Sequence, residues 1–244
     1  MNKLFWIILT MITFSATPLQ EKGSRHYLVV WNIGQGQWVT AINDSTCFHF
    51  DTGGEFFPWK KLRNFCGHQE NQISLSHWDS DHINGLKSWP RTWNTCLAIK
   101  PLGKASARKT QLLSRFADCP LKTDFLTQTR AWHPSLITKD TNSNSHVIKF
   151  ETVLLPGDSP RQQEKIWKDQ TWIRNTKILV LGHHGSKTST SAELIASLPH
   201  LRMAIASARW ARYKHPHPAT IAILQRYRIP LLRTEDWGNI WIER

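Results

Sequence analysis

The sequence predicts an α/β fold: two β-sheets packed together, with helices on their outer faces. Three observations lead there. Strand-like runs crowd residues 27–50, a second group begins near residue 146, and behind each group strands alternate with helix-like segments. Runs at 27–32, 38–42 and 46–50 are short, apolar and separated by turn residues, and 73–76 repeats the pattern. Residues 107–117 suit a helix, with Leu112, Leu113 and Phe116 on one face. Residues 120–146 are polar and yield no assignment. Strands at 146–150 and 152–155 open the second half. A helix at 162–172 leads to a strand at 177–181. Residues 191–198 form a helix capped by Ser191, and 203–207 a strand. Pro218 fits the first turn of a helix at 218–227, where the missing N–H is harmless. Strands at 231–234 and 240–242 close the chain. No linker or low-complexity tract divides residues 27–244, which read as one domain.

The 244 residues are 40% hydrophobic and 20% charged, values that exclude a disordered chain. Residues 1–16 have the form of a secretory signal: Lys3 gives a basic start, residues 4–14 an apolar run, and Ser15 and Ala16 a small-residue end. The run is short for a bilayer span, so a cleaved leader is expected, with an uncleaved anchor as the alternative. The mature chain is then periplasmic or secreted, with no stable membrane span. That oxidising setting suits one or two disulfides among Cys47, Cys66, Cys96 and Cys119. The spacing leaves all three full pairings open, and Cys47 equally suits a buried free thiol. The net charge of +13, of which the leader holds only Lys3, attracts polyanions. Most of the 13 tryptophans are expected in the core, but Trp59, Trp132, Trp172 and Trp210 stand beside basic residues, as single-stranded nucleic acid sites require.

His77-Trp78-Asp79-Ser80-Asp81-His82 carries the chemistry. Four metal-capable side chains lie within six residues, just after the strand-like run at 73–76. No cysteine belongs to the cluster, so the donors are nitrogen and oxygen, as in hydrolytic Zn or Mn sites.

This stretch resembles the signature loop of the metallo-β-lactamase fold, and six further stretches resemble the hydrolase domain of ComEC-type DNA-uptake competence proteins. Gly34-Gln35-Gly36 follows the first strand, and Phe50-Asp51-Thr52-Gly53-Gly54 the third. Leu154-Leu155-Pro156-Gly157-Asp158 ends a strand in Gly-Asp. Gly182-His183-His184-Gly185-Ser186-Lys187-Thr188-Ser189 forms a His-His-Gly-Ser box. Arg212-Tyr213-Lys214-His215-Pro216-His217-Pro218 and Arg233-Thr234-Glu235-Asp236-Trp237-Gly238 close the series. The resemblance spans about residues 27–242 and implies a four-layer αββα sandwich. In that family a membrane channel domain usually accompanies the hydrolase; none is legible here, so a stand-alone protein working with a separate channel is expected.

The resemblance also implies two divalent metal ions, Zn or Mn. His77 and Asp79 are expected at the first, Asp81 and His82 at the second, and Asp158 between them. His183 is favoured to complete the second site, leaving His184 to hydrogen-bond a ligand or phosphate. Asp51 is expected to orient ligands rather than bind metal. Asp81 and Asp158 would orient the attacking water, and His215 would assist the leaving oxygen. Asn144, Ser145, Ser186, Arg212, Tyr213 and His217 are expected around the substrate. Asp79 stands where many members of the fold carry histidine, and this harder ligand favours Mn²⁺ or Mg²⁺. A further histidine before the Gly-Asp step is not evident; Asn142-Ser143-Asn144-Ser145-His146 takes its place, and His146 is either a ligand or turned away. Asn32 and Gln37 replace acidic residues common around the first turn. The expected activity is a metal-dependent phosphodiesterase that degrades one strand of DNA during uptake. The alternatives are a small-molecule hydrolase of the same fold (phosphocholine esterase, lactonase or β-lactamase) and a non-catalytic DNA-binding partner of a channel.

Overall fold

The computed structural model describes residues 26–120 and 128–244, so the proposed leader lies outside the described residues. The first sheet holds β1 (Tyr27–Val30), β2 (Val39–Ile42), β3 (Thr46–Phe50), β4 (Glu70–Ser74), β5 (Thr95–Ile99), β6 (Ala117–Asp118) and the last strand, β13 (Ile240–Glu243). The second holds β7 (Thr129–Trp132), β8 (Val147–Phe150), β9 (Val153–Leu155), β10 (Ile178–Val180), β11 (Met203–Ala206) and β12 (Leu231–Arg233). Their orders are β13-β1-β2-β3-β4-β5-β6 and β12-β11-β10-β9-β8-β7. Each sheet starts antiparallel and turns parallel, at β3–β4 in the first and at β9–β10 in the second. The two halves thus repeat one design.

Alternation along the strands builds three apolar layers. Leu28 and Val30 of β1, with Phe48 and Phe50 of β3, face Ile148, Phe150, Val180 and Ile205 between the sheets. Val29 and Trp31 face outward, into a layer with Leu62 and Cys66 of the helix Trp59–Cys66. On the far side, Leu154, Leu179 and Ala204 pack on Trp167, Leu194 and Leu224 of the outer helices. Helix, sheet, sheet, helix is the four-layer αββα order that the motifs implied.

The four cysteines form two disulfides, Cys47–Cys66 and Cys96–Cys119. Cys47 is therefore not a free thiol. The first bond ties β3 to the outer helix, and the second ties β5 to the residue after β6. Most tryptophans are structural: Trp38, Trp59, Trp89 and Trp93 interlock with ring centroids 5.3–6.2 Å apart. Among the described residues no helix is long and apolar enough to cross a membrane.

Several expected elements change. The helix expected at 107–117 stops at Leu113, and Ala117–Asp118 pairs instead as the edge strand β6. The helix expected at 162–172 ends at Trp167. β4 starts at Glu70, ahead of the expected Ile73, because buried Asn71 is bonded into the fold. It accepts from His49 Nε2 (3.0 Å) and donates to the carbonyls of Cys66, Gln69 and Asn94. Within the unassigned stretch, Thr129–Trp132 pairs with β8.

Candidate metal centre

The chemistry-bearing residues collect where strands end. Asp51 follows β3, and His77–His82 follow β4. Asp158 follows β9, and His183 and His184 follow β10. Parallel strands from both sheets thus bring their carboxyl ends to one edge, where open α/β sheets place ligands.

Backbone contacts fix the His77–His82 loop before any side chain acts. Gln37 N–H donates to the Asp81 carbonyl (3.0 Å), and Thr52 N–H to that of His82 (2.7 Å). A Cβ on Gly53 would overlap the backbone of Asp81 and His82. Gly36, at φ +143°, has no room for one either: it would lie 2.7 Å from the Asp81 carbonyl. The two glycine-rich turns are therefore the seat of the loop.

Asp51 orients the imidazoles. Its Oδ2 accepts from His82 Nδ1 (2.7 Å), Ser76 Oγ (2.7 Å) and Gln37 Nε2 (2.8 Å), and its Oδ1 from Ser76 N–H (2.7 Å). The Ser76 hydroxyl, having given its proton to Asp51, accepts from His77 Nδ1 at 2.9 Å. Both rings thus carry a proton on Nδ1 and turn Nε2 inward. His184 is turned inward too, its Nδ1 donating to the Ser207 carbonyl (3.1 Å) and its Nε2 lying 3.2 Å from Asp81 Oδ2.

Those inward atoms are the test of fit for a metal. His77 Nε2, His82 Nε2 and Asp158 Oδ1 are fully buried and have no hydrogen-bond partner. Unpaired buried polar atoms of this kind are costly unless something else satisfies them. His77, His82 and Asp158 offer ligand atoms within 4.8 Å of one another, as do Asp81, His82 and His184. Asp158 also stands 3.8 Å from His184 Nε2 and 3.6 Å from His183 Nε2. Asp79 stands just outside these groups, its Oδ2 3.7 Å from His77 Nε2 and its Oδ1 accepting from Thr141. The donor set is nitrogen and oxygen throughout and fits divalent metal.

The electrostatics fit a cation as well. Burial would push the Asp158 carboxyl up, but His82, His184 and His77 hold it well below the usual carboxylate range. Burial acts likewise on Asp81 and is outweighed by the hydrogen bond from His184 and the neighbouring imidazoles, so its pKa is also lowered. Burial would lower His82, yet Asp158 and Asp51 keep it well above the usual histidine range. Positive charge is favoured at this point, whether a proton or a metal brings it.

The other expected site residues divide. His183 reaches Asp158 but belongs to neither tight group. Its Nδ1 meets the Thr188 hydroxyl at 3.1 Å, and its side chain is 29% exposed against 2% for His184. The tight group with Asp81 and His82 therefore contains His184, where His183 was expected. The reason is local: His183, His184 and Gly185 all take positive φ (+48°, +54° and +85°), a turn that carries the second imidazole inward. Asn144 is not free for substrate, since its amide accepts from Thr138 N–H and donates to the Thr138 carbonyl, both at 2.9 Å. Ser145 Oγ accepts from Asp158 N–H (3.2 Å), and so supports the Gly-Asp turn. His146 turns away, bonded to the Lys100 carbonyl (2.9 Å). Ser186 Oγ is taken by Thr188, and His217 caps the helix Pro218–Arg226 through Ala219 N–H.

Arg212, Tyr213 and His215 do reach the site. They line an open cleft of about 700 Å³ with Gln35, Asp81 and His184. Burial, then His184 and His183, push the His215 imidazole down to about 4, so it is neutral at ordinary pH. Glu55, which sequence reasoning missed, lines the same cleft. It takes both Arg209 (3.1 Å) and Arg212 (3.0 Å), as well as Gln35 N–H (3.2 Å). Its place just after Gly53-Gly54 was the available signal.

Comparison with known proteins agrees with this architecture. No protein-family model matches the chain. It is 26% identical to Recombination protein 2 of Haemophilus influenzae over 234 residues, 86% of this chain and 28% of that protein. It is 27% identical to Competence protein ComA of Neisseria gonorrhoeae over 247 residues, 96% of this chain and 35% of that one. The chain thus spans about a third of the length of these relatives. Among solved structures, the metallo-β-lactamase fold protein YhfI of Bacillus subtilis superposes with a TM-score of 0.57 at 10% identity, over 90% of this chain and all of that one. The chain therefore has the metallo-β-lactamase fold, and in sequence it is similar to proteins of competence and recombination.

Proposed function

We propose that the protein is a metal-dependent phosphodiesterase that cuts DNA, working outside the cytoplasmic membrane beside a separate channel during DNA uptake. One observation carries the catalytic part: three buried, unpartnered ligand atoms, on His77, His82 and Asp158, converge beside Asp81 and His184. Two similar proteins are named for recombination and competence, and a net charge of +13 suits a polyanionic substrate. Pairing of all four cysteines suits a secreted or periplasmic chain.

His77, Asp79 and Asp158 would hold one ion, and Asp81, His82, His184 and Asp158 the other. Two divalent ions supply charge neutralisation at a phosphoryl group and an acidified water. The protein does the rest. Asp51 and Ser76 keep the His77 and His82 tautomers fixed through 2.7–2.9 Å bonds. Asp81 and Asp158, both held ionised, orient the attacking water. His215, neutral and on the cleft wall, hydrogen-bonds the leaving oxygen. Tyr213 offers a ring to a base, with the Arg212 guanidinium 5.2 Å from its centre.

The test is elemental analysis of the purified protein, followed by assays on bis(p-nitrophenyl) phosphate and on single- and double-stranded DNA. Chelation is expected to abolish activity, and Mn²⁺ to restore it at least as well as Zn²⁺. Activity indifferent to chelation, or a chain that binds no divalent ion, refutes the reading.

A further inference from the structure

Beside the metal cleft lies a second groove of about 730 Å³, between the turn Asn84–Ser88 and the helix Ala107–Leu113. Its lining includes Lys87, Arg91, Arg108, Lys109 and Arg115, and contains no carboxylate. Ser80 and Asn84 line both groove and cleft, so the two hollows meet at the metal loop itself. We propose that a DNA strand held at the metal centre continues into this groove, where the five cations grip its phosphate backbone. The inference rests on the nuclease reading above.

The contrast with the cations around Glu55 supports it. There, Arg209 and Arg212 are both neutralised by Glu55. None of the five groove cations forms an ion pair among the described residues. Lys109 is fixed by the Trp78 carbonyl and Arg115 by that of Leu86 (3.3 Å), while Lys87, Arg91 and Arg108 are exposed. Five like charges around one concave surface repel one another and focus a positive field into it, and a chain of phosphates relieves both. The other lining residues, such as Ile83, Leu112 and Gln111, include no aromatic ring. The groove therefore reads the backbone, not the bases. At its far end Arg91 and Arg115 also border a hollow of about 590 Å³ lined by Trp93 and Phe116, which extends the path for a longer strand.

The experiment uses the full metal-loaded chain and a labelled, cleavage-resistant phosphorothioate oligonucleotide, followed by fluorescence anisotropy. Lys87→Ala/Arg91→Ala/Arg108→Ala is compared with Arg174→Ala/Lys177→Ala/Arg202→Ala, which removes the same charge beside the starts of β10 and β11, at the opposite edge of the sheet. The groove variant is expected to bind about 10-fold more weakly near 0.1 M salt, with its log–log salt slope flattened by roughly 2, since each phosphate contact contributes about 0.7 for a single strand. The control should stay within about twofold of wild type, and poly-dA and poly-dT should behave alike. Equal losses in both variants, an unchanged groove variant, a wild type that binds no oligonucleotide, or equally effective displacement by polyglutamate overturns the proposal. Groove-dependent binding without turnover of any phosphodiester refutes the nuclease reading and leaves the groove standing. Turnover of bis(p-nitrophenyl) phosphate with no groove effect does the reverse.

Discussion

Asp51→Asn tests how the site is built. The wild-type carboxylate accepts four hydrogen bonds, all from donors: Ser76 N–H, Ser76 Oγ, Gln37 Nε2 and His82 Nδ1. An amide offers one oxygen and one NH₂ group, so in either orientation a donor faces a donor. The cheapest relief is for His82 Nδ1 to accept from the new NH₂, which moves the ring proton to Nε2. That atom, 3.1 Å from Asp158, then has no lone pair to offer a metal ion. The Ser76 hydroxyl also loses its acceptor, so His77 is released too. Loss of one such orienting partner weakens metal binding by about 10–100-fold, and Asp51 serves two imidazoles, so about 100-fold, or about 2.7 kcal/mol, is expected. Ser76→Ala touches only the His77 branch and should cost about 10-fold. Both affinities can be measured by competition with a fluorescent chelator on protein shown to be folded by near-UV circular dichroism. An Asp51→Asn affinity within about twofold of wild type would refute the argument that this carboxylate sets the tautomers.

Two more outcomes are expected. His184→Ala should abolish phosphodiester turnover and remove one metal equivalent. His183→Gly should retain metal and raise the unfolding free energy by about 1 kcal/mol, because it relieves a left-handed residue; the reverse order would restore His183 as ligand. The buried His49 gives a pH effect remote from the metals. Burial, opposed by its bond to Asn71, holds its imidazole down at about 4. The unfolded chain takes up the proton first, near pH 6.5, so the stabilising difference is full above that pH. It is lost progressively down to about pH 4, by about 3 kcal/mol in total. Urea unfolding between pH 7.5 and 4.5 should show this slope reduced in His49→Gln relative to wild type. Parallel slopes would show that His49 titrates normally.

The motifs made the fold legible, and with it some of the residues that the structure brings together, for identifiable reasons. Asp51, His77, His82 and Asp158 sit at strand ends, so a strand followed by a short polar step already fixes their position. The first turn was legible too, since Gly36 and Gly53 mark where backbone must approach backbone. The choice between His183 and His184 was not legible. It depends on consecutive positive φ angles, and no pattern of residue types announces those at a His-His pair. Asn144 misled because a polar residue near a metal loop suggests a ligand contact, whereas its amide closes the loop back to Thr138. β5 and β6 escaped notice because their sequences lack clean periodicity, and the helix Trp59–Cys66 because it is short, although Trp59, Leu62 and Cys66 stand at helical spacing; tryptophan packing and the two disulfides hold them in place.

Charge is where sequence and structure diverge most usefully. The cluster Arg209-Trp210-Ala211-Arg212 is the natural choice for a phosphate contact when only the sequence is read. In the folded chain one carboxylate, Glu55, accepts both guanidinium groups at 3.0–3.1 Å, and its own pKa is lowered by them and by Gln35 N–H even though burial acts the other way. A phosphate arriving there would have to displace Glu55 or share its partners. Lys87, Arg91 and Arg108 are scattered across 22 positions of sequence and form no motif, yet the turn after the metal loop and the helix Ala107–Leu113 bring them to one groove whose lining holds no carboxylate. The net charge of +13 is thus not a uniform property of the surface. Part of it is taken up by the pairs around Glu55, while the groove cations form no ion pair among the described residues, so a polyanion would meet a direction as well as an attraction.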